Sequence, residues 1–144
     1  ANMDALLLRP EFFDIYLELA VDFGLPLRLP DASVEPNVGF PIRMLAAEAG
    51  ALFADRAATI PARGGRQMLL ELLGTLEPGL TEITLHPAID CDELRAATDD
   101  WESRVADHTV LVDDSEVAAM LASAGAISIG YRPLRDAMRH PLRP

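Results

Sequence analysis

The chain has one cysteine, Cys91, among its 144 residues. A single thiol excludes an intrachain disulfide and a cysteine-built zinc site, and it fits a reducing, cytoplasmic setting. Positive charge is also scarce, with 12 Lys and Arg against 23 Asp and Glu and a formal net charge of −11. There is no basic patch to release counterions from a phosphate backbone, so nucleic acid is excluded as a partner. The acidity itself says little about a small substrate. No apolar run approaches the roughly 20 residues of a membrane helix, so no membrane association is expected. No basic segment precedes an apolar one, so no signal peptide is expected in these residues. Internal repeats and low-complexity segments are absent as well.

What remains is a chain that is 50% hydrophobic, of a length that suits one domain with a single core over 1–144. It reads as alternating helices and strands. Pro10 opens a helix whose stripe is Phe12, Tyr16, Leu19 and Phe23, with Phe13, Leu17 and Ala20 beside it, and Gly24 closes it. A strand follows over Leu25 to Leu29. The stretch 31–41, with its prolines and glycine, is a loop. A second helix is predicted over Ile42 to Asp55, with Gly50 as its weak point, and a leucine-rich helix over Arg66 to Leu76. Asp90 with Glu93, and Asp113 with Glu116, have capping-box spacing, and each pair predicts a helix start. Ala126 to Tyr131 reads as the last strand, Pro133 to Met138 as a final helical turn, and 139–144 as a fraying tail.

The stretch GLTEITLHPAID (79–90) carries the strongest functional signal. On a strand over Glu82 to His86 the side chains alternate. His86 therefore falls on the polar face with Glu82 and Thr84, at the C-terminal end, where Pro87 stops the ladder. In helix-flanked sheets that end is where ligands bind. The strand over 25–29 sets Arg28 against an aliphatic face in the same way. Parallel strand–helix units would place Arg28 and His86 at the same end of the sheet. Strands with one aliphatic and one polar or small face differ from those of a doubly wound sheet and suit a barrel with an active site in its upper interior. Three strands cannot close one, since about eight are typical.

The segments DALLLRPEFFDIYLELAVDFGLPLRLP (4–30) and 79–136 together resemble the YdjC-like carbohydrate deacetylases. The shared pieces are the x-F-F helix, G-L-P-x-R-L-P, T-E-x-x-x-H-P, D-W-x-x-R-V and the ending aliphatic-S-aliphatic-G-Y-R-P-L. The resemblance implies an α/β fold of parallel strand–helix units, a partial or modified (β/α) barrel. It also implies hydrolysis of N-acetyl groups on amino sugars with a divalent metal, Mg or Zn. The family's paired aspartates and one ligand histidine belong to an N-terminal half not found here, and Asn2 stands where another ligand histidine is expected. An asparagine oxygen is a poor substitute for imidazole at a transition-metal site. The chain thus resembles the C-terminal half of such an enzyme, expected to be inactive alone and to carry no metal site, or a non-catalytic binding domain that retains the scaffold.

Amide hydrolysis needs an acid for the leaving amine. The resemblance assigns that role to His86, and Arg28 is placed to bind substrate oxygens or to form a structural ion pair. Trp101 could stack on a sugar face, although a core position suits it better. Asp90, Asp92, Glu93, Asp113 and Asp114 are better explained by helix initiation than by metal binding, and His108 and His140 read as surface residues. Uncovered strand edges and the broad apolar faces of Phe12–Phe23 and Met68–Leu76 predict a homodimer or association with the missing half.

Overall fold

The computed structural model describes residue 7 and residues 9–61 and 64–140. These residues form a mixed α/β arrangement with eight α-helices, a short 3₁₀ turn and one two-stranded sheet. In order they are α1 (Pro10–Phe23), the 3₁₀ turn (Ala32–Val34), α2 (Glu35–Val38), α3 (Ile42–Glu48), β1 (Arg56–Thr59) and α4 (Gly65–Gly74). Then come β2 (Thr81–Thr84), α5 (Asp92–Ala97), α6 (Trp101–Asp113), α7 (Ser115–Ser123) and α8 (Tyr131–Arg139). β1 and β2 run parallel, and α4 is the crossover that a parallel pair requires. Asp55 N–H donates to Leu80 O at one end of the pair, and Ile60 N–H to Thr84 O at the other.

The chain divides into two compact units: residues 1–57, 80–82 and 128–144, and residues 58–79 and 83–127. The first unit is built around Phe13, Ala20, Leu27, Leu29, Ile42 and Ala46, all buried. Phe13 meets the Phe40 ring edge-on at 5.6 Å. α1 begins with Pro10, whose missing N–H costs nothing in a first turn, and ends where Gly24 takes the left-handed conformation at φ 57°. Arg139 of α8 donates to Phe23 O at 2.8 Å, satisfying a carbonyl at that helix end. Arg43 ties the loops together through bonds to Pro30 O, Ala54 O and Asp55 O, its guanidinium lying over the Phe53 ring.

The second unit packs α4, α6 and α7 around Ile60, Leu69, Leu70, Leu73, Val110 and Val117, with Ile83 and Leu85 against them. Arg66 donates to Asp114 and to Glu116, both at 2.6 Å.

Several elements differ from expectation. Leu25–Leu29 is not a strand but makes one parallel bridge, Leu27 to Phe53. Pro26 and Pro30 flank that bridge and cannot donate to a ladder. Residues 126–130 are irregular, with Ile127 85% exposed, and Tyr131 opens α8 instead of ending a strand. No strand among the described residues pairs with that segment, and an unpaired run has nothing to hold it extended. The helix from Ile42 stops at Glu48, because Gly50 at φ 78° turns the chain out of it. β1 was not anticipated.

The cap positions also move. Cys91, not Asp90, is the N-cap of α5, and Asp90 pairs with Arg95 instead. Asp114, not Asp113, caps α7 by accepting from the Glu116 and Val117 N–H groups. On α1 the buried side is Phe13 and Ala20, with Tyr16 and Leu17 partly covered, while Phe12, Leu19 and Phe23 are exposed.

Candidate functional site

The first unit holds an open cavity of about 380 Å³. Its floor follows from local chain geometry. α1 ends at Gly24, and the next residues, Leu25 and Pro26, run back along the helix, so that Tyr16 of α1 and Arg28 come together: the Tyr16 hydroxyl accepts from the Arg28 N–H at 3.3 Å. α8 supplies the remaining wall with Tyr131, Arg132 and Arg135. These are positions i, i+1 and i+4 of a helix; i and i+4 share one face, and i+1 lies at its edge.

Glu82, of β2, organises the polar end. One of its carboxylate oxygens accepts from Arg28 Nε at 2.5 Å, and the other accepts from the Tyr131 hydroxyl. Burial works against the Arg28 cation, but the hydrogen bond and charge of Glu82 outweigh it and hold the guanidinium above its usual value. Burial also raises the Tyr131 phenol, and the bond to Glu82 raises it further, since ionising the phenol would set two negative charges together. Tyr16 is raised chiefly by burial. Arg135 pairs with its neighbour Asp136, and Arg132 makes no ion pair among the described residues.

Arg28 forms the ion pair that was one of its two expected situations, and it also lines the cavity. Glu82 and Tyr131 were missed as members of the cluster. The signal for Glu82 was its place on the polar side of the strand alternation, in register with His86. Tyr131 gives no such signal, because a strand over Ala126 to Tyr131 would not set it on the helix face that meets Glu82.

His86 lies in the second unit, two residues past β2, with its side chain exposed. Its backbone N–H donates to Asp107 Oδ2 at 3.0 Å. Asp107, of α6, is 7% exposed and is the buried charged residue among those described. A Cβ on Gly65 would stand 2.9 Å from Ile60 Cγ2 and 3.4 Å from Asp107 Oδ1, so this position has little room for a larger residue.

The remaining candidates have local partners. Trp101 opens α6 half-buried, with the Arg95 guanidinium 4.8 Å above its ring. Asp92 and Glu93 lie in the first turn of α5, where negative charge favours the helix dipole. His108 is half-buried and His140 exposed. Asn2 lies outside the described residues. Among the described residues no three His, Cys, Asp or Glu side chains come together in a group able to hold a metal ion.

The parallel β–α–β arrangement and its flanking helices place the protein among mixed α/β folds. The profile of the YdjC-like protein family matches residues 4–123, and the chain belongs to that family. Among solved structures it is similar to one from Enterococcus faecalis described as a "putative cellobiose-phosphate cleavage protein", with a TM-score of 0.69 and 21% identity over 88% of this chain. This chain spans 48% of that protein's length. The comparison with curated proteins returns no match. No helix among the described residues is long and apolar enough to cross a membrane.

Proposed function

We infer that the chain is the C-terminal half of a carbohydrate deacetylase with a modified (β/α) barrel, which removes acetyl groups from amino sugars. The observation that carries this reading is the family match over 4–123, with the Leu85-His86-Pro87 stretch directly after β2. The description of the Enterococcus faecalis protein supports a carbohydrate substrate, and the 48% coverage supports a longer active polypeptide.

In this reading His86 donates the proton that lets the amine leave. Its exposed ring is open to a substrate, while the Asp107 carboxylate holds its backbone. Arg28 binds substrate oxygens, and Glu82 fixes the guanidinium for that purpose. The described residues offer no metal cluster, so the divalent ion of such an enzyme would depend on residues elsewhere.

Acetate release from chitooligosaccharide tests the reading. The 144-residue chain alone is expected to release none with Mg or Zn added. The intact polypeptide is expected to be active, and His86→Ala to lower its kcat by about 10²–10⁴-fold, as for a lost general acid. Unchanged turnover in that variant would remove His86 from the mechanism. The second reading is a non-catalytic carbohydrate-binding domain. It is favoured by the Arg28–Tyr131 cavity, which is formed wholly within one unit.

A further inference from the structure

Asp107 is the buried charged residue among those described, and it stands beside the loop that carries His86. A carboxylate taken out of water loses hydration that a leucine in its place would not need, so the bonds it makes instead carry weight. Topology brings it there. β1 and β2 are parallel, so their C-terminal ends lie together, and the crossover helix α4 starts from that end. Asp107 Oδ1 lies against the first turn of α4, 3.4 Å from where a Cβ on Gly65 would stand, and the helix dipole favours a negative charge at that end. The Arg104 guanidinium, one turn earlier on α6, bonds to Asp100 and also feels the charge of Asp107.

The ladder gives out just before the histidine. Ile60 N–H to Thr84 O closes the strand pair, and among the described residues no strand lies beside 85–88. α6 holds that backbone instead. His86 N–H donates to Asp107 Oδ2 at 3.0 Å, and Ala88 N–H donates to Arg104 O at 3.0 Å. Pro87, between them, has no N–H and a fixed φ. Positions 104 and 107 are three apart, so both anchors lie on one face of one helix. Leu85 packs against the second core, and His86, next in the alternation, is exposed. The ring is thus open to solvent while the backbone that carries it is tied at two points.

We propose that Asp107 is a positioning residue for the reaction of His86. A backbone N–H bonded to a carboxylate makes a stronger bond than one bonded to a neutral acceptor. That bond sets where the imidazole is presented, and a misplacement of about 1 Å at a reacting group can lower a rate about 10²-fold. The role in turnover rests on His86 as proton donor, whereas the clamp rests on the two bonds to α6 alone.

Steady-state kinetics of the intact polypeptide on chitooligosaccharide, with each variant checked by circular dichroism, tests the role. Asp107→Leu, which keeps a branched side chain and has no acceptor, is expected to lower kcat about 10–10²-fold with KM changed less than about twofold. Asp107→Asn, which keeps an acceptor oxygen, is expected to retain most of the turnover. In the His86→Ala background Asp107→Leu is expected to lower kcat no further, because a residue acting through His86 has nothing left to position. The same fall in both backgrounds overturns the role, since Asp107 would then act on the fold alone. Hydrogen exchange followed by NMR reads the clamp without turnover. The His86 amide is expected to be protected in the parent and to exchange at least about tenfold faster in Asp107→Leu. Should Asp107→Leu not fold, the same amide in Asp107→Asn decides, because a neutral acceptor must leave it less protected, and unchanged protection there overturns the clamp. Fast exchange in the parent overturns the clamp too and leaves His86 as proton donor intact. Unchanged turnover in His86→Ala with a protected amide removes the proton donor and, with it, this role for Asp107.

Discussion

Glu82 joins a guanidinium and a phenol through its two carboxylate oxygens, and this couples the titration of Tyr131 to its own charge. The chain has two tyrosines, and both phenols are raised above the ordinary 10.0, by burial first; Glu82 adds a hydrogen bond and its charge at Tyr131 and only a small effect of its charge at Tyr16. Their ultraviolet titration should therefore have its midpoint above pH 10.0, and Glu82→Gln should lower the Tyr131 step and barely move that of Tyr16. An unchanged profile in that variant would show that the pair does not form in solution. The phenol has a higher pKa folded than unfolded, so its stabilising contribution is whole below pH 10.0 and is lost as pH rises from there through the folded value. The sequence made Arg28 and His86 stand out because each interrupts an aliphatic pattern. It could not show which carboxylate would meet Arg28, since Glu82 is 54 positions away. Nor could spacing decide between Asp113 and Asp114 as a cap, because adjacent aspartates differ only in backbone angle, and Asp114 holds the extended conformation that a cap needs.

α1 shows how an amphipathic helix can be legible in existence and misread in orientation. Its apolar residues go most of the way round, so two neighbouring stripes compete, and the aromatic one is not the buried one. Phe13 is fully buried and Phe12 is 41% exposed. Phe13→Ala should cost about 3–5 kcal/mol by leaving a cavity, and Phe12→Ala less than about 1 kcal/mol, near the scale of surface changes. Urea unfolding of the two variants separates the assignments, and a reversed order would restore the stripe through Phe12. The strands were less legible than the helices. β2 alternates clearly, whereas Arg56–Thr59 reads RAAT, with no strong face to declare it. Leu25–Leu29 alternates better than β1 yet forms a single bridge, because Pro26 within it and Pro30 after it have no N–H to donate. Periodicity records a side-chain preference, and a ladder also needs a partner.

At the scale of the molecule, the α/β class was legible from the order of elements, and the family from motifs spread along most of the chain. Neither indicated how the chain divides into units, since composition does not change at residues 57 or 82. Exposed apolar side chains remain: Phe12, Ile15, Leu19 and Phe23 on α1, and Leu111 and Val112 at the end of α6. Such surface favours association, so light scattering at micromolar concentration is expected to give a mass above the 15.6 kDa of one chain. A constant monomer mass across that range would refute self-association. The first unit draws on three separate stretches, ending with 128–144, and its cavity needs both Tyr16 and Tyr131. A ribosome delivers these two tyrosines far apart in time, at about 5–20 residues per second. During synthesis the second unit, complete at residue 127, has all its residues before the first does. The cavity therefore forms only after every residue of the second unit has been made, and a chain cut short before α8 would keep His86 and lack the wall that Tyr131, Arg132 and Arg135 supply.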